Sequence, residues 1–253
     1  TATTGNITDT VALAVTGTSS FTTSASNGTI TLNTSTNALT GAVTLSTTGS
    51  SGNATIDNGT TALSIAASTI GGNLTVTAGD SITDSGVITV SGTASFTTDT
   101  SDKLITLNSQ NAITGQVTFD TTSTGGDVTL DNGTTAISLG TIASGAIGGD
   151  LTLLTDADQT ISNAITLGGS GAELSITVDN ANSLTVQAAL TTNAGAITLS
   201  ADDDVIFTAA GDLTTANGNI TVSADDDSTS DAASGGALTM VDGTVFNSSS
   251  GTI

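Results

Sequence analysis

The chain has 253 residues and carries 23 acidic groups against a single basic one, Lys103, for a net charge of −22. It contains no His, Cys, Pro, Trp or Tyr, whereas 56 Thr, 31 Ser and 30 Gly make up nearly half of it. These numbers exclude disulfides, thiolate chemistry and zinc sites of the usual ligand types. They also exclude a basic groove for nucleic acid or anionic lipid. The apolar runs are only a few residues long, so no segment can span a bilayer.

Composition also separates strand from helix. Asp, Asn, Gly and Ser form turns, whereas Glu, Lys and Arg favour helix, and Glu173 is the single Glu. Five Phe are the only aromatics. Ile, Val, Leu and Ala must therefore fill the core, which is expected to be narrow. Few aromatics with high charge is also a signature of disorder, but the regular alternation along the chain argues against it. The first residues, TATTGNIT, lack the basic and apolar stretches of a signal peptide. The chain reads as an excerpt of a longer polypeptide or as one subunit of a stack.

In chain order, aliphatic-Thr-aliphatic triplets recur. They include Ile30-Thr31-Leu32, Val43-Thr44-Leu45, Leu74-Thr75-Val76, Ile88-Thr89-Val90, Ile105-Thr106-Leu107, Val128-Thr129-Leu130, Ile165-Thr166-Leu167 and Ile197-Thr198-Leu199. Period two predicts strands, with the two aliphatic side chains on one face and Thr on the other. Gly, Asn, Asp and Ser separate the triplets. Asn-Gly pairs at 27–28, 58–59, 132–133 and 217–218 predict tight turns with positive φ.

The triplets belong to longer repeats. ITDTVALAVTGTSSFTT from Ile7 recurs as ITDSGVITVSGTASFTT from Ile82, and ATIDNGTTALSI (54–65) recurs as VTLDNGTTAISL (128–139), at offsets of 75 and 74. GAITLSADDD (195–204) recurs as GNITVSADDD (218–227) at an offset of 23, with a partial third copy in GALTMVDG (236–243). The expected organisation is residues 1–167 with two 75-residue repeats and residues 168–253 with the shorter repeat. An antiparallel sandwich would need hairpins and a thicker core. Self-similarity and small core residues favour a β-solenoid of parallel strands. About ten coils at ~4.8 Å each would give a rod of roughly 50 Å, with about three coils in each 75-residue unit.

The segments ITDSG-ITV-SGTASFTT, ITLN…ITGQVTF and GAITLSADDDVIFTAAGDLTTANGNITVSADDD resemble the β-strand repeat regions of large bacterial surface proteins such as filamentous-haemagglutinin-like adhesins. The resemblance spans essentially the whole chain. It implies an all-β, right-handed parallel β-helix in a secreted, surface-attached protein, and it carries over no catalytic residues.

Several constellations could carry chemistry. A 23-residue coil would stack Asp202, Asp203 and Asp204 on Asp225, Asp226 and Asp227, with Asp212 and Asp231 nearby. Stacked carboxylates repel by about 1 kcal/mol at 4 Å even in water. They suit Ca²⁺, which prefers oxygen ligands; the alternative is a solvated acidic turn. GGSGAELSI (168–176) approximates one copy of a Ca²⁺-binding nonapeptide with Glu173 in the acidic position, a motif that works only in tandem. Thr31, Thr75, Thr106, Thr129, Thr152 and Thr198 are expected to form outward columns. These would serve either as hydroxyl ladders or as a face for glycan, host surface or ice. Asn6, Asn53, Asn73 and Asn219 lie in glycosylation-type sequences. Lys103 has no counterpart in the first repeat, where Gly28 aligns with it.

Carboxylate pairs without Arg, His, Trp or Tyr make a poor polysaccharide-cleaving site, so no enzyme activity is expected. The expectation is a structural, extracellular acidic rod of an adhesin, filament or surface layer. Its partners would be further copies of the same repeat, by chain continuation or head-to-tail assembly. The alternative is a binding module presenting Thr, Asn and Asp columns to a surface glycan. Neither nucleic acid nor membrane insertion is expected.

Overall fold

The computed structural model describes residues 1–122, 125–226 and 236–253, and among these no helix occurs. The strands pair in parallel, each with its counterpart one turn along the chain, as a β-solenoid. One sheet holds seven strands: Ile7–Thr8, Ile30–Leu32, Ala54–Asp57, Leu74–Ala78, Ala94–Thr98, Gln116–Asp120 and Ser138–Leu139. A longer sheet has a main run of Ser19–Ser26, Val43–Thr48, Leu63–Ile65, Ile82–Asp84, Ile105–Leu107, Val128–Asp131, Leu151–Thr155, Leu174–Val178, Ile197–Ala201 and Ile220–Ala224. These rungs are separated by about nine turns, close to the expected number.

The third face begins as a two-stranded sheet, Ala14–Val15 with Ala38–Leu39. That face is taken up by Leu63–Ile65 and the main run after it, while a branch of the long sheet, Ser68–Ile70, Ile88–Val90 and Ala112–Ile113, continues the face of Val43–Thr48. Two four-stranded sheets complete the lower half. One contains Gln159–Ile161, Leu184–Val186, Val205–Phe207 and Leu238–Met240; the other contains Ile165–Ser170, Leu190–Asn193, Leu213–Thr215 and Phe246–Asn247.

Alternation decides which way each side chain points. Ile30, Leu32, Ile105, Leu107, Val128 and Leu130 are at most 1% exposed, while the Thr between each pair remains half-buried. Register then stacks like on like: Ile105, Val128, Leu151, Leu174, Ile197 and Ile220 follow one another at a constant interval along the chain. The core is a column of buried, mostly aliphatic side chains. Four of the five Phe enter it in pairs, Phe96 on Phe119 with ring centroids 5.9 Å apart and Phe207 on Phe246 at 4.8 Å.

The 75-residue repeat is not three turns but three turns and one face. Ile7 and Ile30 lie in the seven-stranded sheet, whereas their equivalents Ile82 and Ile105 lie in the long sheet. Phe21 and Phe96 make the reverse exchange. Each repeat is therefore rotated a third of a turn from the one before it. GALTMVDG is likewise not a third copy of the shorter unit. Its strand Leu238–Met240 stands on Val205–Phe207, with Leu238 opposite Val205. The column of Ile197 and Ile220 continues instead at Ile253: the Ile220 N–H donates to the Thr252 C=O at 2.9 Å, as the Ile197 N–H does to the C=O of Asn219, the residue before Ile220.

The third face is interrupted where the long strand Val43–Thr48 forks. Its start pairs with Leu63–Ile65 (Val43↔Ile65) and its end with Ser68–Ile70 (Ser46↔Thr69). At the vacated corner the Asn58 side chain substitutes for a strand. Its Oδ1 accepts from the Leu39 N–H at 2.8 Å and its Nδ2 donates to the Leu39 C=O at 3.1 Å. Asn132 repeats this on Ile113 at 2.9 and 3.1 Å. Both Asn are fully buried, as a buried amide with complete partners can be. The glycines after them, Gly59 and Gly133, have φ of +57° and +51°, as expected for Asn-Gly. At 27–28 it is Asn27 that is left-handed, at φ +60°. At 217–218 neither residue is, and Gly218 is required by close approach: a Cβ there would collide with the Gly195 carbonyl oxygen.

Three substitutions test this account. Leu130→Ala is expected to lower unfolding free energy by about 2–5 kcal/mol, while Thr129→Ala beside it changes it by no more than ~0.5 kcal/mol, both read by urea denaturation. Asn132→Leu strands the Ile113 N–H and C=O and is expected to cost about 1–3 kcal/mol for each.

Candidate functional site

Most Asp and Asn in this chain act at corners. A residue just before a strand uses its side-chain oxygen to accept the backbone N–H of the residue one turn later. Asn53 holds Asn73 at 2.8 Å and Asn73 holds Thr93 at 2.9 Å. Asp127 holds Asp150 at 2.9 Å, and Asp150 holds Glu173 at 2.8 Å. Asn6 and Asn219 do the same for Thr29 and Thr252, at 3.0 Å each. These four Asn, each in a glycosylation-type sequence, are thus engaged as inter-turn acceptors. Glu173 belongs to this column, where its own N–H is held by Asp150.

A second corner device appears once in each 75-residue repeat. The Asp9 carboxylate accepts from the N–H groups of Asn33 and Thr34, both at 3.2 Å, and from Asn37 Nδ2 at 2.7 Å. Asp84 does the same with Asn108, Ser109 and Asn111 at 3.0, 3.1 and 2.7 Å. Burial pushes the Asp9 carboxyl upward, but the hydrogen bonds from Asn37, Thr34 and Asn33 together outweigh it and hold it below the ordinary value.

The predicted Asp cluster is arranged differently from the expected triplet-on-triplet stack. Ile197–Ala201 and Ile220–Ala224 do pair in the expected register, Ile197 opposite Ile220 and Ala201 opposite Ala224. Asp225 then adopts a φ of +60° and the register slips. The Asp202 N–H donates to Val178, whereas on the next turn it is Asp226, not Asp225, that donates to Ala201. Asp202 and Asp226 thus join a strand-exit column with Asp131, Asp156 and Asp179.

Asp203 and Asp204 are used elsewhere. Asp203 Oδ2 accepts from the Ser183 hydroxyl at 3.0 Å, and Asp204 Oδ1 accepts from the Ala237 N–H at 2.8 Å. Asp226 accepts from the Ser200 and Ser223 hydroxyls. Asp212 accepts from the Val245 N–H at 2.8 Å. Asp227 and Asp231 lie outside the described residues. Among the described residues, no three carboxylates gather in a cluster able to hold a metal ion.

The exit column concentrates like charge. Burial first, then the charges of Asp202, Asp156, Asp226 and Asp131, push the Asp179 carboxyl above its ordinary value. Asp99 is raised by burial and by Asp57 and Asp120. Lys103 relieves a different place, meeting Asp80 at 3.1 Å in an exposed pair of small energetic weight.

The outward columns do form, and they are longer than the triplets alone suggest. On the long sheet Ser64, Thr83, Thr106, Thr129, Thr152, Ser175, Thr198 and Thr221 follow in register. On the seven-stranded sheet Thr8, Thr31, Thr55, Thr75, Ser95 and Thr118 do so. The six predicted Thr therefore divide between two faces, with Thr31 and Thr75 on one and Thr106, Thr129, Thr152 and Thr198 on the other.

A family model described as repeats of unknown function (DUF5649) matches residues 1–46 and 51–120. The chain is a repeat protein. No curated protein and no solved structure matches it.

The sign of the pH dependence follows from these carboxyls. A raised folded-state pKa costs stability at neutral pH, and the cost is relieved as pH falls through that pKa toward the ordinary 3.8. A lowered one, as at Asp9, is stabilising at neutral pH, and that contribution is lost as pH falls below 3.8 and through the folded-state value. Asp179→Asn is therefore expected to raise the thermal midpoint at pH 7 by a few degrees and to have little effect at pH 3. Asp9→Asn is expected to lower the midpoint at pH 7.

Proposed function

We propose that this chain is a structural element, a rigid acidic rod segment of an extracellular surface protein such as an adhesin stalk, filament or surface layer, with no catalytic role. The observation that carries this reading is the register of the long sheet. About nine turns are stacked with inward aliphatics on inward aliphatics and outward hydroxyls on outward hydroxyls. Such a stack converts chain length into distance, at ~4.8 Å for each turn. The match to a repeat family agrees with it.

The partners that fit are further turns of the same kind, supplied by chain continuation or by a second copy. Among the described residues, the exposed large apolar side chains are Val87 and Leu104 mid-rod, Val11 on an early turn, and Leu238, Met240, Val241, Val245 and Ile253 on the last turns. Parallel strands at the ends of the rod present unpaired backbone groups of the sort that another turn satisfies. The net charge of −22 opposes side-by-side association of rods. A second reading, recognition of a glycan by the outward face, draws support from the unbroken hydroxyl column from Ser64 to Thr221.

Small-angle scattering from one, two and three copies joined in tandem tests the rod. Each added copy is expected to lengthen the particle by roughly 45–50 Å at constant cross-section. Lengths that fail to add would overturn the proposal. Specific retention on a glycan array would favour the second reading.

A further inference from the structure

The rod is not braced equally along its length. Between the turn of Gln116–Asp120 and the turn of Leu151–Thr155, two of its three faces change sheets. The seven-stranded sheet ends at Ser138–Leu139, and the sheet that follows on that face begins at Ile165–Ser170, with only the isolated bridge Ile142↔Ile165 between them. On the branch face, strands stop at Ala112–Ile113 and resume at Gln159–Ile161.

Side-chain amides fill the gap on that second face. Asn132 pairs with Ile113. One turn further, Gln159 Oε1 accepts from the Ile137 N–H at 2.7 Å, and its Nε2 donates to the Ile137 C=O at 2.8 Å. Among the described residues, only the long sheet crosses this zone uninterrupted, through Ile105↔Val128↔Leu151↔Leu174.

The equivalent fork in the first repeat is better supported. There the seven-stranded sheet runs straight through, Ile30↔Ala54↔Leu74. The long sheet also passes into both Leu63–Ile65 and Ser68–Ile70. Two sheets brace the first fork and one braces the second.

We propose that the second fork is a compliant joint. The rod bends there about the long sheet, and under heat or tension it opens there first, leaving a stiffer block on either side. Backbone ladders resist shear and splaying collectively, and local opening starts where fewest of them must break together. This inference rests on the rod reading. The two are separately testable, because amide exchange reads local opening whereas scattering reads length.

Residue-resolved amide exchange on the whole chain decides it, comparing hydrogen-bonded amides at the two forks. The N–H groups of Ile137, Gly140, Ile142 and Thr166 are held at the second fork, and those of Leu39, Leu45, Leu63 and Ala66 at the first. The amides of the first fork are expected to be protected at least about tenfold better than those of the second. Gln159→Ala is expected to speed exchange at the second fork and leave the first unchanged. If that variant does not fold, Asn163→Ala, which removes a donor to the Leu139 C=O at 2.9 Å, gives the same pattern more weakly. Equal protection at the two forks, earlier opening at the first, or acceleration spread evenly over all sheets would overturn the proposal.

Discussion

The structure depends on one constraint: each inward aliphatic side chain must sit on its counterpart one turn away. A parallel ladder fixes that register, because a slip of one residue would turn every aliphatic outward and every Thr inward. The length of chain in a turn is not fixed. Ile82 stands on Leu63, Leu74 on Ala54, Val128 on Ile105 and Leu184 on Gln159, and the longest excursion brings Leu238 onto Val205. The variation is absorbed at the corners, where the chain is not part of the ladder. The core is thin enough for Ile, Val, Leu and Ala to fill it, which is why so few aromatics suffice.

The corners are where this chain uses its polar residues. A strand that ends leaves N–H and C=O groups facing an apolar interior, and each must find a partner. Asn58, Asn132 and Gln159 provide both partners at once from one amide. Asp and Asn before the strands secure the next turn from outside. Much of the negative charge thus has a structural use at each corner, with like charges one turn apart as the accompanying cost at Asp179 and Asp99.

The strands were legible in the sequence because alternation at Thr31, Thr106, Thr129 and Thr198 is a local signal. The parallel solenoid followed from the repeats. Other features were hidden because they depend on what lies one turn away. The substitution of Asn58 for a strand looks, in sequence, like any Asn-Gly turn. The slip at Asp225 arises from a left-handed residue in a run of three identical side chains, so nothing marks which Asp continues the column. GALTMVDG resembles the shorter repeat, yet its place is set by the length of chain preceding it. The recurrent Asp-Asn-Gly, with Asn58 and Asn132 each following an aliphatic strand and an Asp, was the available clue to the buried amides.

The third-of-a-turn rotation between successive 75-residue repeats has a geometric result for any longer run of them. A feature carried once per repeat would not line one side of the shaft. It would climb around it like the steps of a spiral stair, regaining its starting direction only after three repeats. Whatever such a shaft displayed once per repeat would point every way outward, in contrast to the once-per-turn hydroxyl columns that stay on one face.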